Sequence, residues 1–310
     1  MKLGKKIIVA ALVSVLLLSL TCSLLFVNLA KASPLDRQYL PELTIKSDGS
    51  ISVPQASDLI TRTGNVYTLT ANIENYSVNI DRSNIVFDGA GHTINALRGF
   101  ANSGLAILQA TNVTVKNLII IGEQQTSLFI ASSKCYIANV TVQKDIRVNG
   151  EANIITQSDM KRLILWRGGS NFISKCNISA LYIAYWSGSN EFSANSFLFN
   201  YTDDESFSIN TVNFWDNGSV GNYWSNYTVK YPNASELGNS GIGDTAYVID
   251  QNNIDHYPLT YPYDVEKDEI VKSTQEPETP SSFTPVIAGV SMVTAIGITS
   301  TVIYHRKYRK

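Results

Sequence analysis

Short runs of alternating apolar and polar residues recur through the middle of the chain, and this repeat constrains the fold more than any other feature. Alternation over a few positions predicts a half-buried strand, and the asparagine or glycine that follows each run suits a positive-φ corner between strands. The runs span residues 83–94, 111–121, 134–142, 170–179 and 189–199, with predicted corners at Gly89, Asn117, Asn139, Asn177 and Asn195.

Corners of a single residue favour a chain that winds in one direction. Each turn can then hydrogen-bond to the next and stack its Val, Ile, Leu and Phe side chains in one core. The sequence therefore predicts an all-β protein, a right-handed parallel β-helix over residues 61–214. The alternative is an antiparallel sandwich, which should contain more two-residue hairpin turns. The 38-residue step from Asn139 to Asn177 marks an insertion at residues 143–169, which is either an extra coil or a side loop.

The open ends of such a stack need caps, because bare strand edges promote aggregation. Residues 33–60 are the predicted N-terminal cap region and residues 215–263 the predicted C-terminal cap. Residues 264–285 are charged, rich in Pro, Ser and Thr and poor in large apolar side chains, which predicts a flexible stalk.

Two cysteines lie within the repeat region, and an oxidising exterior would allow them to form a disulfide. In the repeat alignment Cys135 occupies an inward position, like Val113, whereas Cys176 immediately precedes Asn177. These different registers favour two unpaired cysteines over the disulfide.

Both ends of the chain have the character of membrane signals. Basic residues precede an apolar run that ends near a small-x-small pattern, so residues 1–32 are the predicted signal peptide, with an uncleaved anchor as the alternative. A second apolar run begins at Val286 and ends at Tyr304, long enough to cross a hydrocarbon core of about 30 Å. The basic tail at 305–310 predicts a membrane helix over 286–304 and a cell-surface ectodomain, with a buried core helix as the alternative.

The predicted exported region, residues 33–283, carries 16 basic and 26 acidic residues, a formal charge of −10. Its C-terminal part, from residue 176 onward, has three lysines against 15 acidic residues. Such a surface is a poor partner for nucleic acid, or for polyanionic glycans unless a cation bridges, and it suits neutral sugars or cations. The dense basic patch of the ectodomain lies in residues 143–169.

Two stretches carry a family resemblance. "NIVFDGAGHTI" resembles the first-coil signature of NosD-like and CASH-type right-handed β-helix proteins. "GNYWSNY", at 221–227, followed by "GIGDTAYVIDQNNIDHYPL" resembles the terminal module of archaeal surface members of that group. The resemblance covers residues 43–262 and implies the fold, but the group hosts several activities.

The resemblance also raises a calcium site in the C-terminal cap. The family's terminal module usually carries an acidic ladder before Gly-Ile-Gly-Asp, and here "SELGNSGIGD" lacks it. Ca²⁺ prefers six to eight oxygen ligands, and the candidates are Asp244, Asp250, Asn252 and Asp255, with Glu236 as a further oxygen donor. The alternative is a purely structural cap in which Asp250 and Asn252 bond the turn backbone.

Two chemical activities are alternatives to a passive role. A polysaccharide lyase or hydrolase needs carboxyl groups in a groove, and the candidates are Asp203, Asp204 and Glu205. A lyase also needs a basic proton acceptor, for which Arg147, Lys161, Arg162 and Arg167 are available without an acidic cluster beside them in sequence. The NosD resemblance implies a copper accessory role, for which the chain offers His92, His256, Met160, Cys135 and Cys176.

A binding or structural role requires no catalytic or copper-binding residues. Aromatic faces suit sugar rings, and the candidate ligand-binding residues are Tyr182, Tyr185, Trp186 and Tyr231. Packing within the cap is the alternative for the aromatic residues of this region, above all for Trp215 and Trp224. Eight glycosylation sequons lie at Asn75, Asn112, Asn139, Asn177, Asn200, Asn217, Asn226 and Asn233. Together these features predict a membrane-anchored surface module, with cell-surface glycans as the expected partners and no nucleic acid.

Overall fold

The computed structural model describes residues 42–52, 58–96, 103–122, 125–199, 207–265 and 267–270. The predicted signal peptide, the membrane helix and most of the stalk lie outside these residues. The described chain is nearly all β, with a short helix, α1 (Tyr227–Lys230). No helix in this part of the chain is long and apolar enough to cross a membrane.

Most strands form one large curled sheet in which neighbours run parallel, and their pairing divides it into three stacks. The first stack contains β3 (Val66–Leu69), β6 (Ile85–Asp88), the starts of β9 (Val113–Gly122) and β11 (Tyr136–Asn149), β12 (Ile154–Thr156), β14 (Phe172–Ser174) and β17 (Glu191–Ser193). The second stack contains β4 (Ile73–Glu74), β7 (Thr93–Ala96), the middle parts of β9 and β11, the start of β13 (Asp159–Arg167), β15 (Asn177–Ile178), β18 (Ser196–Phe197) and β20 (Tyr223–Trp224).

The third stack contains β1 (Glu42–Ile45), β5 (Ser77–Ile80), β8 (Ser103–Leu108), β10 (Thr126–Ala131), the ends of β11 and β13, β16 (Leu181–Trp186) and β19 (Phe207–Ile209). Near the start of the chain, β2 (Ile60–Thr63) pairs antiparallel with β3. The parallel pairing excludes an antiparallel sandwich for the described residues and is compatible with a β-helix. The parallel pairing begins at Glu42 and continues to Trp224, so it extends beyond the range 61–214 expected from the repeat.

One passage of the chain through the three stacks is here termed a coil, and inward side chains of successive coils stand in register. In the first stack the inward column is buried along its whole length and consists of Tyr67, Phe87, Val115, Ile137, Ile155, Ile173 and Phe192. Burying one such side chain contributes about 1.5–3 kcal/mol, so the columns supply the main driving force for stacking the coils.

Residues 143–169 complete one coil and form the whole of the next, and they form no side loop. β12 and β13 pair with β11 on one side and with β14, β15 and β16 on the other. Equivalent residues of the second stack, Thr141, Asp159 and Asn177, are each 18 positions apart. The 38-residue step in the sequence repeat therefore covers two coils.

The predicted corners are correct in two coils and wrong in three. Asn117 and Asn139 have φ of 53° and 54° and are left-handed corners, as predicted. At the other three corners the positive φ falls on an earlier or later neighbour: Ala90 instead of Gly89, Lys175 instead of Asn177, and Ala194 instead of Asn195. A left-handed backbone costs an ordinary L-residue about 1–2 kcal/mol, which the pairing of the neighbouring coils must offset.

Two ladders of buried side chains join the later coils at the entries to the first and second stacks. The rungs of the first ladder are Asn153, Asn171, Asn190, Asn213 and Asn253. The backbone N–H of each rung donates to the side-chain Oδ1 of the next rung at 3.0–3.1 Å. Along its first three steps the side-chain amide donates to the same oxygen at 2.9–3.0 Å. In the second ladder Asn195 donates to Asn222 in the same way, and Asn222 donates to Asp255.

The C-terminal cap covers the last coil with stacked aromatic rings. The ring of Trp215 lies 4.6 Å from that of Phe192, and the ring of Tyr247 lies 4.2 Å from that of Trp224, both nearly parallel. Both tryptophans are buried, which confirms their predicted packing role. The cap hairpin consists of β21 (Tyr247–Asp250) and β22 (Asn253–Asp255).

After the cap, the chain runs back along the side of the coils as a second hairpin, β23 (Tyr263–Asp264) and β24 (Glu269–Ile270). The backbone N–H of Tyr263 donates to Ser196 Oγ at 2.8 Å. Farther along, Lys175 Nζ lies 2.9 Å from Asp268 Oδ1. Part of the predicted stalk therefore packs against the fold.

Candidate binding surface

The cap hairpin terminates both ladders with its own side chains. Asn253 Oδ1 accepts the N–H of Asn213 and the indole N–H of Trp215, each at 3.0 Å. Asp255 Oδ2 accepts the N–H of Asn222 at 2.7 Å and the indole N–H of Trp224 at 2.9 Å. Burial raises the pKa of Asp255 to about 7, although these hydrogen bonds oppose the shift.

The four residues considered as calcium ligands are engaged in different hydrogen bonds of the cap. Asp250 accepts the N–H of Asn252 at 2.7 Å and the amide of Asn253 at 2.8 Å, which are the turn bonds of a structural cap. Asp244 accepts the N–H of Ser235, and Asp255 ends a ladder. Within the described ranges no three His, Cys, Asp or Glu side chains are grouped so that they could hold a metal ion.

The residues considered as copper ligands are dispersed. Cys135, Cys176 and Met160 are buried in the core, and both cysteines are free. Burial raises the pKa of Cys135 to about 11 and that of Cys176 to about 12, so both remain thiols at neutral pH. His256 pairs with Asp216 through Nδ1 at 2.9 Å.

The acidic residues considered as catalytic candidates, Asp203, Asp204 and Glu205, lie outside the described residues. The basic candidates lie on β11 and β13. Arg162 is committed to an ion pair, because its Nη2 lies 2.7 Å from Asp145 Oδ2.

Three of the four predicted ligand-binding aromatics lie on β16. The side chains of Tyr185 and Trp186 are 74% and 71% exposed, an unusual position for rings of this size, whereas Tyr182 is half-buried. β16 pairs with β19 through Leu181–Ile183 and with β13 through the same three residues and Trp186, so the two exposed rings stand at the end of the paired stretch. Tyr185 and Trp186 are the two most exposed aromatic side chains among the described residues.

Sequence reasoning missed a contact between this aromatic group and the preceding coils. The ring of Trp166, on β13, stacks on Tyr182 with centroids 5.9 Å apart. The guanidinium of Arg147, on β11, lies over the Trp166 ring, 5.0 Å from its centroid. In the same region Arg167 is in register with Trp186. Arg147, Trp166, Arg167, Tyr182, Tyr185 and Trp186 are named together the Arg–aromatic surface.

The fourth predicted ligand-binding aromatic, Tyr231, lies elsewhere. It packs against Tyr227 and Tyr247 in the cap, and its hydroxyl accepts the N–H of Val248 at 3.0 Å. Among the sequons, the exposed asparagines are Asn75, Asn112, Asn139, Asn217 and Asn233, while Asn177 and Asn226 are half-buried and Asn200 is outside the described residues.

No family model, curated protein sequence or solved structure shows significant similarity to this chain.

Proposed function

We propose that this protein is an exported right-handed parallel β-helix, anchored at the cell surface by residues 286–304, that binds glycans without transforming them. The observation that carries the proposal is the exposure of Tyr185 and Trp186, which are neighbours on β16. Large rings exposed to water at the end of a paired strand are suited to cover the apolar face of a sugar ring, with polar neighbours to bond its hydroxyls.

A passive role is also favoured by the hydrogen bonding of the carboxylates in the cap. Its carboxylates are occupied by turn and ladder hydrogen bonds, and these bonds explain the Asp/Asn-rich segment without a catalytic role or a bound metal. A cap of this kind closes the coil stack and leaves the outer side of the stacks for binding.

The experiment is a glycan array followed by calorimetry, with the wild-type chain and the Trp186→Ala variant. We expect Trp186→Ala to weaken binding by about tenfold or more, because a central aromatic anchor commonly contributes more than 1 kcal/mol. Tyr136→Ala is the matched control, since Tyr136 is an exposed aromatic on the first stack. The proposal fails if no glycan binds, or if both variants lose affinity equally.

The same samples separate binding from catalysis. Each bound glycan is incubated with the protein and assayed for new reducing ends and unsaturated products. The proposal predicts neither product. Turnover that disappears in Asp203→Asn or Asp204→Asn would instead support the lyase or hydrolase alternative.

A further inference from the structure

The Arg–aromatic surface combines cations from one part of the sequence with aromatic rings from another. Arg147 and Arg167 come from the basic patch at residues 143–169, whereas Tyr182, Tyr185 and Trp186 come from the acidic C-terminal part of the chain. Stacking of β11, β13 and β16 makes them neighbours. The overall charge of the exported region is therefore a poor guide to the charge of this surface.

The arginines of this surface are not held in ion pairs by the described residues. Asp145 is buried and paired with Arg162. Among the described residues, no carboxylate forms an ion pair with Arg147 or Arg167. Arg147 lies over Trp166, which holds its guanidinium in place beside the aromatic rings.

The arrangement also has a direction. The groups of Arg147, Trp166 and Tyr182 follow one another across three neighbouring coils, at separations of 5.0 and 5.9 Å. Parallel strands are about 4.8 Å apart, so an extended ligand lying across the coils would meet a new coil at each such step. A polymer is therefore better matched to this surface than a small isolated sugar.

We infer that the Arg–aromatic surface binds an acidic polysaccharide, one whose uronate carboxylates pair with Arg147 and Arg167 while its sugar rings pack on Tyr185 and Trp186. Guanidinium groups form charge-assisted, bidentate hydrogen bonds with carboxylates, and arginine keeps its charge at any physiological pH. This inference rests on the proposed glycan-binding function and replaces the neutral sugars expected from the net charge with an acidic class.

The test compares one polymer in two charge states. The full-length chain in detergent is titrated with polygalacturonate and with its carboxyl-reduced, neutral derivative. We expect the acidic polymer to bind at least about tenfold more tightly, and the difference to shrink as salt is added, because exposed charge pairs are screened.

Variants assign the effect to this surface. Arg147→Gln and Arg167→Gln should each weaken binding of the acidic polymer by about fivefold to tenfold and leave the neutral polymer unaffected. Trp186→Ala should weaken both polymers. Lys116→Gln is the control, because it removes one positive charge from the first stack, where Lys116 pairs with Asp88. Thermal unfolding confirms that each variant is folded.

The outcomes distinguish glycan binding itself from a preference for acidic glycans. If both polymers bind equally and the arginine variants behave as wild type, glycan binding stands and the acidic assignment is wrong. If no acidic or neutral glycan binds, both are wrong. Equal affinity for oligothymidylate and polygalacturonate would also overturn the assignment, since aromatic and cationic side chains together suit single-stranded nucleic acid as well.

Discussion

At the scale of single residues, Asp255 is the most unusual group in the described chain. It occupies a ladder position that asparagine fills in the two preceding coils, and it is fully buried. Asp216 also raises the pKa of Asp255, and the Asp216 carboxylate lies 2.9 Å from Nδ1 of His256. Burial opposes ionisation of Asp216, but hydrogen bonds from His256 and Gly218 outweigh it and hold the Asp216 pKa low.

The raised pKa of Asp255 predicts a fold that loses stability as the pH rises. An unfolded aspartate has a pKa of about 3.9, so between about pH 4 and pH 7 the folded chain binds more protons than the unfolded chain. The stabilisation is complete below about pH 4 and is lost as the pH approaches 7. The free energy of unfolding, measured with urea from pH 4.5 to pH 8, should therefore decline for the wild type.

Asp255→Asn removes the titrating group and should flatten this decline, whatever its effect on stability at a single pH. Asp250→Asn is the matched control, because it makes the same change in the exposed turn of the same hairpin. An unchanged slope in Asp255→Asn would assign the pH dependence to another group, such as Glu191, whose pKa is raised by burial and by Asp216.

At the scale of elements, the ladders connect the coils to each other and to the cap. Every rung satisfies a buried backbone N–H where the chain enters a strand, a group that no neighbouring strand could otherwise bond. The first ladder ends at Asn253 and the second at Asp255. The cap is therefore held to the coils by the same hydrogen bonds that hold the coils together.

A ladder rung should contribute far more to stability than a surface asparagine. Asn190→Ala leaves the buried backbone N–H of Asn171 without an acceptor and removes the side-chain amide bonds that residue 190 makes with Asn171 and Asn213. We expect it to lower the free energy of unfolding by about 2–4 kcal/mol. The control is Asn95→Ala, whose amide donates to Glu74 near the surface and is replaced by water at a cost below about 1 kcal/mol. Equal losses in the two variants would contradict a special role for the ladder.

The elements were more predictable from sequence than the contacts between them. Alternation of apolar residues locates the strands, and Asn117 and Asn139 mark true corners. The same signal fails at Asn195, because that asparagine serves as a ladder rung and its neighbour Ala194 forms the corner. The contact of Arg147 with Trp166 was not predictable, since it depends on a coil length that only the strand register reveals.

At the scale of the described fold, the coils stack one on another in a fixed parallel register. That register brings Arg147, Trp166 and Tyr182 together from three coils, and it aligns the outward side chains of the first stack in one row. The row includes Val66, Tyr136 and Phe214, all of them exposed.

Spin-label distances along this row test the stacking directly. Pairs of cysteines for labelling replace Tyr136 and Phe214, or Val66 and Phe214, in a chain that also carries Cys22→Ser. The native thiols of Cys135 and Cys176 should react slowly with the label, because burial raises their pKa values. Tyr136 and Phe214 are four pairings apart, and Val66 and Phe214 are seven.

Double electron–electron resonance should then give a backbone separation of about 19 Å for the first pair and about 34 Å for the second, because each coil adds about 4.8 Å. A second distance no longer than the first would contradict a stack of coils in parallel register, and with it the Arg–aromatic surface.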